Sequence, residues 1–352
     1  MQRKESCSGL MAAVKLLTCV VPCYNSAAYM ERAVDSLLAG GEEMEILIVD
    51  DGSTDETGAI ADRLAETYPS IVRVHHQPNG GHGSALNYGM AHAEGVYFKV
   101  LDSDDRLSKK DLPGLMGVLR QHAEPDTQAD MVFHDYVYDW PEKEGVFRIS
   151  YIGRMKPDSL RTWDQSRRFH IWNQFVIHSL IYRTQLLKDM HYTLPEHTFY
   201  EDNLYVYQPM AHTRHILYHR APMYGYFVRR SDQSVNEQNI RKRMDQLMKV
   251  AKLQVTSYRM EELKKLPRHL CSYMINNCCG QLFNICALQF IEDSERSHQM
   301  NRELWQTIRD FDPELYKRLR RNPLGRVTCL PGRIGERFLV FLYRAGRRMI
   351  RL

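Results

Sequence analysis

The chain has 352 residues, of which 43% are hydrophobic and 26% are charged. This length and composition are typical of a globular protein with one large α/β domain and a smaller extension, and they argue against disorder. The net charge of +4 conceals a basic segment, because residues 317–352 contain eleven Lys or Arg and one acid, Glu336. That segment carries +10 and the rest of the chain −6. This balance favours an anionic partner for the basic segment, either nucleic acid or a membrane surface, and the acidic body argues against a broad nucleic-acid surface.

The first hundred residues alternate between short apolar runs and amphipathic stretches. The apolar runs predict strands at 16–21, 45–49, 71–75 and 96–101. The amphipathic stretches predict helices at 29–38, 57–68 and 84–93. Strands that alternate with helices of about ten residues predict an α/β fold, a mostly parallel sheet with helices on both faces.

The pattern is less regular beyond residue 112. It predicts a strand at 131–138 that pairs with one at 146–151, a helix at 163–178, and a strand at 224–228. A helical region rich in Leu and Met follows from about 240 to 290. We therefore divide the chain into a domain at 14–235, a helical region at 236–322 and a basic amphipathic tail at 323–352.

The eight cysteines include no C-x-x-C pair, and no His pair supports a zinc site. We therefore expect reduced core cysteines in a cytoplasmic protein. No secretory signal is visible, and no apolar run reaches the roughly 18 residues of a spanning helix. The predicted location is the cytosol, either free or peripheral at the inner face of the cell membrane.

Polar residues follow three of the predicted strands. These segments are Pro22-Cys23-Tyr24-Asn25, Asp50-Asp51-Gly52-Ser53 and Asp102-Ser103-Asp104-Asp105. Ligands of open α/β sheets bind at the carboxyl ends of the strands, so these segments mark a predicted site.

Asp102, Asp104 and Asp105 are crowded directly after a buried strand. Carboxylates placed this way repel one another unless a cation lies between them. The pattern indicates Mg²⁺ or Mn²⁺, held together with substrate phosphates. The alternative is a solvated acidic turn that caps the next helix.

Asp50 and Asp51 suit recognition of a nucleoside, because a carboxylate can accept from the N3–H of uracil or from ribose hydroxyls. The alternative is an Asp-Gly turn followed by a helix cap. The glycine-rich loop at 79–83 opens a helix and suits an anion, or is only a flexible connection. It is neither a G-x-G-x-x-G nor a Walker A sequence.

Taken together, these segments resemble the family 2 glycosyltransferases, which have the GT-A fold. Four linked motifs carry the resemblance over about the first 115 residues, and they occur in the family's order and spacing. They are Val21 to Asn25, Ile48 to Asp55, Asn79-Gly80-Gly81 with Ala85-Leu86-Asn87, and Leu101 to Asp105.

The resemblance implies a role for each matching residue. The implied metal ligands are Asp104, Asp102 and Asp105. The implied base on the acceptor is Asp202, with Glu201 as second choice; the alternative is two surface acids at a helix start. The implied contacts to the nucleotide sugar are made by Pro22, Tyr24, Asn25, Asp50, Asp51, Gly81, Asn87, Asp102, Ser103, Asp104, Arg229 and Arg230, the last two of which are surface arginines in the alternative interpretation.

The implied activity is transfer of a single sugar, with inversion, from a nucleotide-sugar donor to an acceptor hydroxyl. A saccharide or a lipid-linked precursor of a cell-surface polysaccharide is the expected acceptor. The chain lacks the Q-x-x-R-W element of processive members, which argues against polymer synthesis with coupled export. A sugar nucleotidyltransferase and a non-catalytic nucleotide-sugar-binding protein are the alternatives.

The basic tail also has the pattern of an amphipathic helix. At about 100° per residue, one face carries Ile334, Phe338, Phe341, Leu342, Ala345, Met349 and Leu352. The adjoining face carries Arg333, Arg337, Arg344, Arg347, Arg348 and Arg351. This pattern predicts a helix that binds an anionic membrane surface; the alternative is a terminal helix packed on the body of the protein.

Overall fold

A computed structural model describes residues 14–139, 147–170, 173–227 and 237–350. The fold is an α/β sheet followed by a helical C-terminal region. The strands are β1 (Leu17–Cys23), β2 (Met44–Asp50), β3 (Val72–His76), β4 (Tyr97–Val100), β5 (Arg106–Leu107), β6 (Met131–Asp139), β7 (Phe147–Ile149), β8 (Arg161–Thr162), β9 (Leu180–Arg183) and β10 (His215–Phe227).

Six helices accompany these strands in the described residues up to 227. They are α1 (Met30–Leu37), α2 (Thr57–Thr67), α3 (His82–His92), α4 (Leu112–Gln121), α5 (Thr184–Asp189) and α6 (Asp202–Tyr207). The C-terminal region then consists of α7 (Glu237–Lys242), α8 (Met244–Val255), α9 (Met260–Lys265), α10 (Arg268–Glu292), α11 (Glu295–Phe311), α12 (Pro313–Arg321), α13 (Pro323–Thr328) and α14 (Gly332–Ile350).

The strands form one mixed sheet in the order β3-β2-β1-β4-β9-β6-β10-β5, with β7 beside β6 and β8 beside β10. β1 is parallel to both β2 and β4, and β6 is parallel to β10. The register aligns Cys23 with Asp50 and Val20 with Val100, so β1, β2 and β4 end close together at one edge. The predicted α/β fold with a mostly parallel sheet is confirmed, although β9, β5, β7 and β8 pair antiparallel with their neighbours. The edge where β1, β2 and β4 end is where the site was expected.

Side chains that alternate along β1 divide the core between the two faces of the sheet. Val20 belongs to the cluster on one face, whereas Cys19 and Val21 belong to the cluster on the other. The first cluster continues into α3 and into α8 and α10 of the C-terminal region, and the second contains α1, α2 and α4. The helices of the C-terminal region therefore share a core with one face of the sheet. The same core includes residues of α6 and of the segment before β9, which contribute to the site described below.

The helix predicted at 163–178 is wrong. The structure has two short 3₁₀ turns there, Trp163–Gln165 and Ile177–Ser179, and no α-helix in the described residues between them. The aromatic residues that gave the helical pattern instead pack on one another, with ring centroids of Phe169 and Phe175 5.2 Å apart. Six residues of α-helix would rise about 9 Å along the axis, a separation that does not fit this contact.

Other predicted elements agree with the structure within a few residues. β7 pairs with β6 as expected, and the helical region exists but is divided into separate helices. The strand predicted at 224–228 is the end of a longer strand that begins at His215. The seven cysteines of the described residues form no disulfide. No helix in the described ranges is long and apolar enough to cross a membrane.

Candidate active site

The loops that follow β1 and β2 are joined by hydrogen bonds. The side-chain oxygen of Asn25 accepts a hydrogen bond from the backbone amide of Thr54 at 2.9 Å. The backbone amide of Asn25 donates to the Ser53 hydroxyl at 3.0 Å. Asn25 has a positive φ of 49°, which this residue type tolerates better than most. Pro22 lies in the buried strand, whereas the Tyr24 ring is 54% exposed at the rim of the site.

The carboxylate of Asp51 holds the glycine-rich loop. Its Oδ1 accepts from the Gly80 amide at 2.9 Å and from Gln77 Nε2 at 2.7 Å, and its Oδ2 accepts from the Gly81 amide at 2.7 Å. Gly81 has a φ of +85°, and a Cβ there would lie 3.2 Å from the His197 amide nitrogen. Asp51 therefore fixes a loop conformation that only glycine adopts readily.

Asp50 stabilises the turn after β2. It accepts from the Ser53 amide at 3.1 Å and from His76 Nδ1 at 2.8 Å. Burial favours the neutral acid, but these hydrogen bonds prevail and lower the pKa of Asp50. Asn87 is likewise engaged within the protein, since its amide makes two hydrogen bonds to the backbone of Leu194. The role of both residues toward a nucleotide stays a prediction.

His82 connects three parts of the site. At the start of α3, its Nδ1 lies 2.6 Å from Glu201 Oε1 and its Nε2 lies 3.3 Å from Asp102 Oδ1. Burial opposes a charged ring, but the two carboxylates raise the pKa of His82 well above its usual value. The ring is therefore an imidazolium that donates from both nitrogens. The sequence analysis predicted a role for the glycine-rich loop that contains His82, but none for the histidine side chain itself.

The segment after β4 places its side chains in different directions. The Ser103 hydroxyl lies 2.7 Å from that of Ser26, and the Asp104 carbonyl accepts from Arg32. Asp105 is fully buried and accepts from the Tyr224 hydroxyl at 2.6 Å and from the Phe227 amide at 2.7 Å. Burial, with Asp102 and Asp104 nearby, raises the pKa of Asp105 well above its usual value.

Three residues could hold a metal ion at this edge. Ligand atoms of Asp102, Asp105 and His178 all lie within 4.8 Å of one another. Burial lowers the pKa of His178 to about 4, so its imidazole is neutral and free to offer a lone pair. Two carboxylates with one imidazole fit Mn²⁺ better than Mg²⁺, which prefers an all-oxygen shell.

This set differs from the predicted ligands in one residue. His178 belongs to this group, whereas Asp104, on the same turn as Asp102 and Asp105, is not one of its three donors, and its role toward a metal stays a prediction. Asp102 and Asp105 belong to both sets. His178 lies in the segment wrongly predicted to be helical, and no motif in the sequence singles it out. A second group in the described residues, Asp293, His298 and Glu336, lies in the C-terminal helices.

A buried lysine lies behind the metal group. Lys99 Nζ donates to the carbonyl of His178 at 2.8 Å and lies 3.0 Å from His134 Nε2. Burial lowers the pKa of Lys99 to about 7. The lysine therefore fixes the backbone that presents His178, and it was not singled out from the sequence.

The two acids proposed for acceptor activation lie at the start of α6. Glu201 is 2% exposed and makes the hydrogen bond to His82 described above. Asp202 is only partly buried. Burial, followed by repulsion from Glu201, raises the pKa of Asp202 to about 7. A carboxylate with a pKa near neutrality is suited to general base chemistry at physiological pH.

The structure thus brings some of the predicted site residues into contact, but not all of them. Asp102 and Glu201 both contact His82, Asp105 lies beside Asp102, and Asp202 follows Glu201 at the start of α6. Asp51 is linked to this group through the glycine-rich loop. Arg229 and Arg230 lie outside the described residues.

Residues 18–183 match the model of glycosyl transferase family 2. This segment of the chain belongs to that family. Glycosyltransferase GlyG of Streptococcus pneumoniae is 35% identical over 142 residues, which cover 40% of this chain and 45% of GlyG. The chain spans 20% and 22% of the length of two uncharacterized Rickettsia glycosyltransferases.

Two solved structures show the same fold. Residues 1–349 of S. aureus TarS in complex with UDP-GlcNAc give a TM-score of 0.64 at 20% identity, covering 94% of this chain and 92% of that one. The mannosyltransferase PcManGT from Pyrobaculum calidifontis, in complex with GDP-Man and Mn²⁺, gives 0.51 at 16% identity, covering 86% and 84%. The fold is therefore a GT-A-like α/β sheet followed by a helical C-terminal region, and the match to TarS covers both parts.

Proposed function

We propose that the chain is a metal-dependent glycosyltransferase that moves a single sugar, with inversion, from a nucleotide-sugar donor to an acceptor hydroxyl. The observation that carries this proposal is the contact of His82 with both Asp102 and Glu201. It places the acids after β4, where a donor diphosphate and metal would bind, beside the acids of α6, where a base is needed. Membership of residues 18–183 in the family supports the same reaction.

The donor would lie across the ends of β1, β2 and β4. Asp50 and Asp51 follow β2, and Tyr24 and Asn25 offer an exposed ring and amide beside them. These groups suit a nucleobase and ribose, and a UDP-linked sugar is the first candidate. In the resemblance, Arg229 and Arg230 are assigned to the diphosphate, and that assignment stays a proposal.

The leaving group carries negative charge that must be stabilised. Asp102, Asp105 and His178 would hold Mn²⁺ or Mg²⁺, which when bound would neutralise charge on the departing nucleoside diphosphate. His82 would hold Asp102 in place from the other side. Asp104, on the same turn, keeps its predicted role toward the metal or the ribose.

Asp202 would act on the acceptor. It would take the proton from the attacking hydroxyl, whose oxygen forms a bond to the anomeric carbon from the face opposite the diphosphate. The bond from that carbon to the diphosphate oxygen breaks, which inverts the configuration. Because Glu201 already makes a short hydrogen bond to His82, Asp202 is the better placed of the two acids. A saccharide or a lipid-linked polysaccharide precursor is the proposed acceptor.

A screen of nucleotide sugars tests this function. Purified protein is incubated with UDP- and GDP-linked sugars, with and without Mn²⁺, and its melting temperature and the release of free nucleoside diphosphate are measured. We expect one donor to raise the melting temperature and to be hydrolysed slowly, both only with the metal. Stabilisation without hydrolysis or transfer would indicate the non-catalytic alternative, and no response to any donor would contradict the proposal.

A further inference from the structure

The last helix packs on the protein along only one side. Leu339 is fully buried and Tyr343 is 8% exposed, and both belong to the core that contains α10. On the opposite side, Ile334 is 85%, Phe338 46% and Phe341 64% exposed. α14 is thus anchored, as the packing alternative predicted, and still presents three large apolar side chains to its surroundings.

These exposed side chains form a single stripe. Positions 334, 338 and 341 are spaced by four and three residues, which places them on one side of an α-helix. At about 100° per residue, Arg333, Arg337 and Arg344 fall directly beside the stripe, and all three are exposed. The outward half of α14 is therefore divided lengthwise into an apolar stripe and an arginine stripe.

A groove runs along the arginine side. It has a volume of about 510 Å³ and lies between α14 and the end of α10. Its walls combine apolar side chains with three arginines, Arg333, Arg337 and Arg344, and two acids, Asp293 and Glu336. His298 lies 3.0 Å from Asp293 and 3.9 Å from Glu336, so the acids are partly engaged within the protein.

We propose that α14 is a membrane-surface helix that binds an anionic lipid bilayer. The apolar stripe would enter the acyl boundary, and the arginines would contact the phosphates of the headgroups, some of them at the groove. This inference is independent of the proposed transferase activity, because it rests only on the exposed face of the C-terminal helix.

The charge pattern distinguishes a bilayer from other partners. Two copies of the chain joined through this face around a two-fold axis would bring like arginine stripes toward each other. A nucleic acid would match the arginines but would leave Ile334, Phe338 and Phe341 without an apolar partner. Anionic lipid matches both stripes at once.

Co-sedimentation of the full-length protein with vesicles tests the proposal. Vesicles of phosphatidylglycerol and phosphatidylcholine are compared with vesicles of phosphatidylcholine alone, at low and high salt. We expect binding to the anionic vesicles that weakens as salt rises. Truncation is not a suitable variant, because it would uncover the surface on α10 that Leu339 and Tyr343 cover.

Two double substitutions separate the two stripes. Phe338→Ser with Phe341→Ser should lower the bound fraction at all salt concentrations. Arg333→Gln with Arg337→Gln should weaken partitioning about tenfold or more at low salt and reduce the salt dependence. Ile152→Ser and Arg63→Gln are the controls, since both residues are exposed and neither belongs to α14.

The outcomes are distinct. Wild-type protein that does not bind anionic vesicles, or stripe variants that bind as well as the controls while melting normally, would overturn the proposal. Loss of a dimer in light scattering on substitution of the stripe, without lipid binding, would overturn it in favour of a second copy of the chain. Donor-induced stabilisation, measured on the same samples, reports separately on the transferase site.

Discussion

The Nδ1 atom of His82 lies 2.6 Å from Oε1 of Glu201, although 119 residues separate the two in the chain. The other ring nitrogen faces Asp102. The His82 side chain therefore connects the start of α3, by hydrogen bonds, with the turn after β4 and with the start of α6. Substitutions in these three segments should not be additive, because they share this partner.

The first prediction concerns His82 itself. His82→Ala would leave Glu201, which is 2% exposed, without its charged donor. An unsatisfied buried charged acceptor costs about 1–3 kcal/mol or more, so we expect both a lower melting temperature and a large loss of kcat/KM. His92→Gln, in the last turn of the same helix, is the control and should stay near wild type. If His82→Ala turns over at the wild-type rate, the imidazole of His82 has no role in the reaction.

Asp202→Asn tests the base. The amide keeps the size of the side chain but accepts no proton, so we expect donor-induced stabilisation to persist while turnover falls about 10²–10⁴-fold. Isothermal titration with the donor and a transfer assay measure the two effects. If turnover stays within a few-fold of wild type, Glu201 or another group is the base, and Glu201→Gln becomes the next variant.

The raised pKa of Asp202 predicts a pH dependence. The base works as a carboxylate, so kcat should rise with pH through about 7 and level off above it. This rising limb should disappear from the residual activity of Asp202→Asn. A wild-type profile that is flat between pH 5.5 and 8 would contradict the assignment.

The carboxyl group of Asp202 should also make the stability of the fold depend on pH, but stability should fall where kcat rises. Its folded pKa is raised from 3.8 to about 7, so the folded state favours the protonated acid and loses stability as pH rises through this range. Asp202→Asn mimics the protonated form. The variant should therefore melt at a higher temperature than wild type at pH 8, and the difference should shrink as the pH falls toward 4.

Metal dependence is the fifth prediction. Excess chelator should abolish transfer, and Asp102→Asn or His178→Ala should raise the Mn²⁺ concentration needed for donor-induced stabilisation by about 10- to 100-fold. Asp104→Ala should also lose activity if this residue holds the metal or the ribose. Asp293→Asn, taken from the other group of candidate ligands, is the control. Full activity in excess chelator would exclude the metal-dependent mechanism.

Much of the sheet could be predicted because the hydrophobic pattern of each strand is visible in a short stretch of sequence. β1, β2 and β4 are short apolar runs followed by polar turns, so both their existence and the position of the site follow from periodicity and the parallel-sheet rule. The acids after β4 and at α6 could be recognised because they lie in motifs. Their contact through His82 could not, because it depends on the packing of segments distant in the chain.

The segment between β7 and β9 was unpredictable for a related reason. Its large side chains depend on partners that are distant in the chain, as Trp163 does by donating its Nε1–H to Thr213 at 3.0 Å. No periodicity indicates such a structure. His178, in this segment, and Lys99, on β4, were not predicted because both act through tertiary contacts and neither lies in a local motif.

The position of β9 in the sheet has a consequence for synthesis of the chain. β9 pairs with β4 on one side and with β6 on the other, yet it comes eighty residues after β4. A nascent chain that has emerged only to residue 170 would hold a four-stranded parallel sheet whose β4 edge is still open. Ribosome pausing or premature termination in this interval would expose that edge, and such fragments should need chaperones or aggregate.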